Sequence, residues 1–596
     1  MMLILNMFIR SIKVRSSSGV VHEYVRVVES VRANGRVRQR LVLNLGRRDT
    51  LVTILPMLQR FLHGDAAPPL TPDGPIEALE ASTWGPVLVV RHFFQQLGLW
   101  PLLDSCRRWP HLQPDEDPDD DWPSRALALI ANRLVRPVSE HALAGWLETD
   151  YVCDRVGRRY LPHWKPHGRV QVDLTVLQSW YRTLDHLILN QAKIELALYG
   201  RLRDLFHFQP DLVFYDLTST YFEGHGPATL AKHGYSRDGK PRNVQVVVGV
   251  VMVAGWPIAH HVWAGNTRDS QTVAEVVKDL TQRFQFRRAV FVGDRGMVTE
   301  KNLDVLQTAE GEWGFLLGMT RRQNPEAEAL IDRVVEDRWL DCASGINGQE
   351  ATVKQRTRVQ EVSGERAGVR VFVVDSEERR AYEQRQREKA MERVRLSLEK
   401  LQTRVLQGRL KDPAKIGAAA QRVLSRHHGQ RYYTWRLLEG RFEFEEHPVN
   451  LPREKKYEGK YLIQTDQTEL TARDAVAHYK ELNEVERGFR SLKDPIGMRP
   501  IWHRNDRRVR AHILVAALAF LIERLLERAL HDAGVPLSAQ AALTALQTIR
   551  HVRFQVDGQG RTGVTPGSQR ARQVLRALNI TDLHPPTPPE GTSAMV

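Results

Sequence analysis

The chain has 596 residues, 42% of them hydrophobic, enough for three or four domains with real cores, which excludes a polypeptide disordered throughout. Lys and Arg outnumber Asp and Glu by 85 to 71, and the resulting formal charge of +14 suits a polyanionic partner. The three cysteines, Cys106, Cys153 and Cys342, lie too far apart to suggest a disulfide framework or a zinc module, so a reducing cytoplasm is the expected compartment. The apolar runs at 1–9 and 513–522 are too short to suggest a membrane span.

From 8 to 45 apolar and basic residues alternate around Ala33-Asn34-Gly35, which predicts a small β-hairpin module with a basic face. A Pro-rich stretch at 66–75 separates it from a region of helical periodicity that runs to Phe206, broken by an acidic, proline-containing loop at 114–123. Strands are predicted next over 211–221, 244–253, 257–263 and 288–292, the middle two flanking the turn Ala254-Gly255-Trp256. Residues 376–407 are dense in Glu, Arg and Lys with Leu and Val at helical intervals and read as a helical arm, followed by a strand pair near Phe442 and Tyr461. A long helix over 471–492, a basic segment, an apolar helix near Ile513 and a weakly structured, proline-ended tail complete the chain.

Three carboxylates stand out. Asp216 follows the apolar run Val213-Phe214-Tyr215 and is expected near the end of its strand, at the sheet edge or rim; alone it better suits a strand-end turn residue. Asp294 closes the apolar run Ala289 to Gly293, where sites in α/β sheets assemble. Glu486 shares with Tyr479, Arg490 and Lys493 a band roughly 60° wide on the long helix, beside an apolar stripe of Val485, Phe489 and Leu492. Taken alone, that band better describes a solvated face with a Glu486–Arg490 pair. Two aspartates on strands and a glutamate on a helix form the hard-oxygen set that two-metal phosphoryl transfer requires, holding Mg²⁺ with Mn²⁺ as substitute. The adjacent His260 and His261 point to opposite faces of a strand and cannot chelate together, so both are expected to be structural.

Around these residues the chain resembles an insertion-sequence DDE transposase of the "insertion sequence family four" type, which carries a Y-x2-R-x3-E-x6-K pattern. Tyr479, Glu486 and Lys493 match it, and Leu482 replaces the arginine, as in the subgroup around insertion sequence sixteen-thirty-four. Tyr215-Asp216-Leu217-Thr218, Gly234 to Lys240, Gly265 to Asp269, Gly293 to Gly296, Tyr24 to Val28, Leu43 to Arg47 and Pro137 to Glu140 resemble the same group. Met7-Phe8-Ile9-Arg10 also looks more like the family's beginning than Met1 does.

The resemblance implies an α/β fold: an RNase H-like core, a mixed sheet with flanking helices, interrupted by an inserted domain between Asp294 and Glu486. The expected organisation is a basic N-terminal β module over 1–60, a helical DNA-binding domain over 80–206, core parts over 207–325 and 466–535, the insert over 326–465, and a tail over 536–596. The implied catalytic and metal-binding residues are Asp216, Asp294 and Glu486, serving two divalent ions. Tyr479 and Lys493 would meet DNA near the cleaved bond, with Arg490 or Arg487 in place of the missing arginine. Arg504, Arg507 and Arg508, in a cationic cluster with Arg499, His503 and Arg510 around Trp502, suit backbone gripping.

The implied partners are the element's inverted repeats, target DNA and a second copy of the chain in a synaptic complex, in a bacterial cytoplasm at the nucleoid. An RNase H-like nuclease without strand transfer and a non-catalytic DNA-binding inhibitor are the alternatives.

Overall fold

The computed structural model describes residues 7–15, 21–33, 36–52, 55, 76–106, 121–160, 174–209, 211–297, 299–321, 324–342, 356–556 and 559–588. The Pro-rich stretch and residues 114–120 of the acidic loop read from the sequence fall outside them. The chain divides into two compact units, the smaller formed by Met1–Glu80 with Arg553–Thr562. In the smaller unit β1 (Met7–Arg15), β2 (Val21–Ala33) and β3 (Arg36–Arg47) form an antiparallel sheet, so the expected hairpin carries a third strand on its outer side.

The larger unit begins with helices α1 (Gly85–Gln96), α2 (Leu99–Asp104), α3 (Trp122–Val135), α4 (Leu143–Thr149), α5 (Leu174–Leu189) and α6 (Gln191–Phe206). Its sheet starts with β4 (Leu212–Tyr221), β5 (Gln245–Val253) and β6 (Trp256–Ala264), joined antiparallel. Every residue of the Gln-Val-Val-Val-Gly-Val-Val-Met-Val run of β5 is buried, as a strand covered on both faces demands. The β5–β6 turn holds Ala254 and Gly255 at φ 50° and 80°, the positive pair that matches the twist of a tight hairpin.

After α7 (Val273–Gln282), β7 (Arg288–Gly293) pairs parallel with β4; after α8 (Glu300–Thr308), β8 (Glu312–Met319) pairs parallel with β7. The order β6-β5-β4-β7-β8 is the mixed sheet of an RNase H-like core.

The insert opens with α9 (Pro325–Asp332), β9 (Leu340–Cys342), β10 (Thr357–Val362) and β11 (Arg370–Ser376), followed by α10 (Glu377–Leu406) and α11 (Pro413–Arg426). The hairpin β12 (Tyr433–Leu438) and β13 (Arg441–Glu446), α12 (Asn450–Tyr457) and β14 (Lys460–Thr465) close it. The expected strand pair near Phe442 and Tyr461 does not exist: Phe442 pairs across the hairpin with Leu437, whereas Tyr461 pairs with Val374 in the main sheet. β14 also pairs antiparallel with β8, so β14, β11, β10 and β9 extend the core sheet to nine strands. A free sheet edge is a template for further pairing, which is how the insert attaches. Beyond the sheet, Val394, Leu398 and Leu401 of α10 pack with Ile416, Ala420 and Phe442 in a small core of their own.

Helix α13 (Ala472–Lys493) then lies across β4 and β7. Thr471 caps its N-terminus by accepting from the Asp474 N–H, and Arg490 and Lys493 occupy its last turn, where cations complement the exposed carbonyls. Gly488 permits the approach of α14 (Asp506–Asp532), because a Cβ there would meet the Phe520 ring at 2.6 Å.

The described residues of 536–580 are not the weakly structured tail expected, and it is 581–588, around the prolines, that lack regular elements. Residues 536–580 carry α15 (Ala539–Leu546) and α16 (Gln569–Ala577), and the Trp84 and Gly85 N–H groups both donate to the Ile549 carbonyl, at 2.9 and 3.1 Å. Trp84 is fully buried, and its indole N–H donates to the Leu583 carbonyl at 2.7 Å. Among the described residues no helix is long and apolar enough to cross a membrane.

Candidate active site

Asp216 occupies the middle of β4, in the interior of the sheet and not at its rim as the sequence suggested. The strand runs on through Thr218, Ser219 and Thr220, whose small polar side chains are tolerated in a buried strand. One carboxylate oxygen of Asp216 accepts the Leu217 N–H at 2.7 Å. Asp294 follows the last residue of β7, in a turn closed by the Met297 N–H on its own carbonyl at 3.1 Å. Since β7 lies beside β4, the two aspartates stand on neighbouring parallel strands, and α13 brings Glu486 over them.

The fields of these carboxylates overlap. Burial pushes the Asp216 carboxyl up to about 7, with the Asp294 and Glu486 charges adding to the shift against the Leu217 N–H and Arg237. Glu486 is likewise raised, by burial and then by Asp294, with Arg490 opposing. Asp216 and Glu486, both raised and both in the field of Asp294, make with it a site of like charges whose hard oxygens suit a divalent cation.

A cavity of about 600 Å³ opens between Asp294 and Glu486 on one side and Arg387, Arg431 and Lys460 of the insert on the other. Tyr479 lines it, packed so closely on β8 that a Cβ at Gly318 would stand 2.2 Å from its hydroxyl, with Tyr461 beside it at 6.0 Å between ring centroids. Leu482, at the position of the missing arginine, is buried against the same cavity.

The other residues read as DNA contacts fare differently. Arg490, Arg504 and Arg507 are exposed. Lys493 reaches an acidic partner, Asp238, at 2.7 Å. Arg508 stacks 4.3 Å from the centre of Tyr181 and reaches Asp185 at 3.4 Å, so its guanidinium ties α14 to α5. Arg487 pairs with Glu484. Trp502, at the centre of the cationic cluster, is 63% exposed. His260 and His261 do turn opposite ways, to Glu195 at 2.7 Å and Asp279 at 3.3 Å.

Residues beyond the expected set also converge here. Arg237 donates to both oxygens of Asp269, at 2.9 and 2.8 Å, joining the 234–240 loop to the segment after β6. Asp269 in turn lies against the Asp294 turn, 3.1 Å from where a Cβ of Gly296 would be. The segments 234–240 and 265–269 already carried the family resemblance, which was the available signal for these residues.

A second donor cluster, Glu140, His503 and His512, brings its ligand atoms within 4.8 Å of one another. It is not suited to a metal. Nε2 of His512 lies 3.1 Å from the Met498 carbonyl, which only accepts, so Nδ1 is left to accept from Arg133 at 3.2 Å. The Arg133 guanidinium also takes up Glu140, at 3.5 Å.

With this geometry in view, the comparisons with known proteins are direct. The Transposase DDE domain family matches residues 208–522, more than half of the chain. The chain therefore belongs to the DDE transposases: it is a DNA transposase with an RNase H-like core, of a class whose domains generally use divalent metal ions. The IS1634 family transposase N-terminal domain matches residues 9–65, which sets the chain in the IS1634 group. Among solved structures it is similar to a piggyBac transposase in a synaptic complex with hairpin DNA. The identity is 9%, with 87% of this chain and 90% of that chain covered, and the TM-score of 0.35 is too low to carry an argument. No curated protein matches in sequence.

Proposed function

We propose that this transposase binds the terminal inverted repeats of its insertion sequence, hydrolyses one strand at each end, and joins the exposed 3′-hydroxyls to target DNA by in-line transesterification. The observation that carries the proposal is the convergence of Asp216, Asp294 and Glu486, like charges in one another's field, beside a cavity whose lining mixes Arg387, Arg431 and Lys460 with glutamates. These three carboxylates are the metal-binding and catalytic residues, and they would hold two divalent ions, Mg²⁺ with Mn²⁺ as substitute. When bound, such ions lower the pKa of the attacking water or hydroxyl and stabilise the leaving oxygen.

The rest of the work falls to side chains. The Leu217 N–H orients the Asp216 carboxylate, and Arg237 relieves part of its charge. Tyr479 supports the nucleotide at the cut from within the cavity. Arg490, Lys493, Arg504 and Arg507 take DNA phosphates, and Arg508 acts by holding α14 in place. Joining requires both ends at once, so the assembly is a homodimer with two DNA ends, and the charged face of α10 is its natural contact with DNA or partner.

Pre-cleaved terminal DNA with a free 3′-hydroxyl, incubated with supercoiled plasmid and Mg²⁺, tests the reading. Covalent end-to-plasmid joints are the expected product; plasmid nicking without joints would leave a nuclease, and binding without either reaction would leave a non-catalytic DNA-binding protein.

A further inference from the structure

Lys493 does not face solvent as an isolated phosphate ligand. Its ammonium and Nη1 of Arg499 converge on the same Asp238 oxygen, at 2.7 and 2.8 Å. The Asp238 side chain is only 2% exposed, while those of Lys493 and Arg499 keep 12% and 24% open to solvent.

Each partner is held by its backbone. The Arg237 N–H donates to the Ser219 hydroxyl at 2.9 Å, and that hydroxyl donates to the Tyr235 carbonyl at 3.1 Å, which pins the Asp238 loop to β4 three residues beyond Asp216. Lys493 ends α13. Arg499 precedes Ile501, which bonds to the Tyr221 carbonyl and the Glu223 N–H, both at 3.0 Å, at the far end of β4. Arg237 stands in the field of both Asp216 and Lys493, so the group borders the catalytic carboxylates.

Two cations share one buried carboxylate, and the more exposed Asp494 balances Arg499 from outside, so the group is neutral overall but has donors to spare. Lys493 uses one of its three N–H bonds on Asp238, and the Arg499 fork uses Nη1 there and Nη2 on Asp494 at 2.5 Å, with its remaining N–H groups uncommitted to these partners. A tetrahedral oxyanion is the ligand that such paired, fixed donors fit.

We propose that Asp238 is a positioning residue that clamps Lys493 and Arg499 side by side as a two-cation seat for one DNA phosphate next to the one being attacked. This rests on the reading of the chain as an enzyme that cuts its own DNA ends. Arg499 thereby supplies a guanidinium beside Lys493 at the C-terminal end of the catalytic helix. The sign of the effect separates the clamp from plain electrostatics: removing a negative charge near DNA should tighten binding, whereas releasing the clamp weakens it.

The test measures binding of a labelled duplex carrying the element's own terminus against salt in Ca²⁺, and its cleavage in Mg²⁺, for the wild type, Arg499→Ala, Asp238→Asn and Asp238→Asn/Arg499→Ala. Arg499→Ala should bind roughly tenfold more weakly, with the slope of log affinity on log salt reduced by about 1. Asp238→Asn should also bind more weakly, with a shallower slope, and should add little to Arg499→Ala. Should Asp238→Asn fail to fold, Asp238→Glu keeps the charge, shifts the carboxylate by one methylene and carries the same prediction. Wild-type affinity and slope in Arg499→Ala, or tighter binding in a folded Asp238 variant, would overturn the seat while leaving wild-type cleavage, and so the transposase reading, intact. A wild type that neither binds nor cuts its end would remove both.

Discussion

Two clusters of three titratable groups in this protein, one of a carboxylate and two imidazoles and one of three carboxylates, have opposite electrostatics. At Glu140, burial pushes the carboxyl up, but His503, Arg133 and His512 outweigh it and hold the group well below the usual carboxylate range. At Asp216, burial and two further carboxylates act in the same direction and push the group up to about 7. The first cluster is closed by Arg133, which pairs with Glu140 and meets His512, and it ties α3 to α14. The second is left unbalanced, and the missing charge must come from outside. Donor count and spacing alone would have selected the wrong cluster for a metal; the sign of the charge balance selects the right one.

The comparison breaks most sharply at Asp216. Asp216→Asn should reduce end cleavage by on the order of 10³-fold or more, yet raise the stability of the metal-free protein. The folded carboxyl keeps its proton up to about 7, while the unfolded one releases it near 3.8, so stability falls as pH rises through that window. Asparagine removes the loss, which amounts to a few kcal/mol at pH 8; thermal melts without metal check it, and a variant that melts lower would contradict the charge balance drawn here.

Glu140→Gln should do the reverse, lowering stability by about 3–5 kcal/mol through the buried Arg133 it leaves unpaired. Cleavage per folded molecule should stay at the wild-type level, as active-site titration at low temperature would measure.

A smaller effect concerns His512, which burial and then Arg133 and His503 hold well below its ordinary 6.5. The unfolded chain takes up a proton there that the folded one refuses, so stability is fully present above pH 6.5 and is lost as pH falls below it. Between pH 7 and 5 this costs up to about 2 kcal/mol, and His512→Asn should flatten that part of the pH profile of melting.

The smallest change is expected from Arg504→Ala and Arg507→Ala, each lowering the salt slope of DNA binding by about 0.9. Low-salt cleavage should be nearly unaltered, in contrast to the carboxylate variants.

What could be read from the sequence followed local periodicity. The run before Asp294, the polar band of Tyr479, Glu486 and Lys493, and the opposed directions of His260 and His261 are set by residues within a turn or a strand of each other. The structure brings the three carboxylates together, but it sets Asp216 in mid-strand, because polar Thr218, Ser219 and Thr220 continue a strand that composition suggested was ending.

Long-range pairing was not legible. Asp238 and Lys493 are 255 positions apart, and nothing in either neighbourhood announces the other. The same holds for Tyr461 joining the core sheet and for the packing of the helices after 536, α15 on α1 and α16 on α15 and α14. Arg508 looked like its neighbours Arg504 and Arg507 until Tyr181 and Asp185 were placed beside it.

The central claim is that the unbalanced carboxylates cut DNA, and it is tested most directly by incubating labelled terminal DNA and Mg²⁺ with the wild type and with Glu486→Gln. Metal-dependent nicking at the element's end by the wild type, absent from a variant that still binds the DNA, is the predicted result; nicking by Glu486→Gln at the wild-type rate would contradict it.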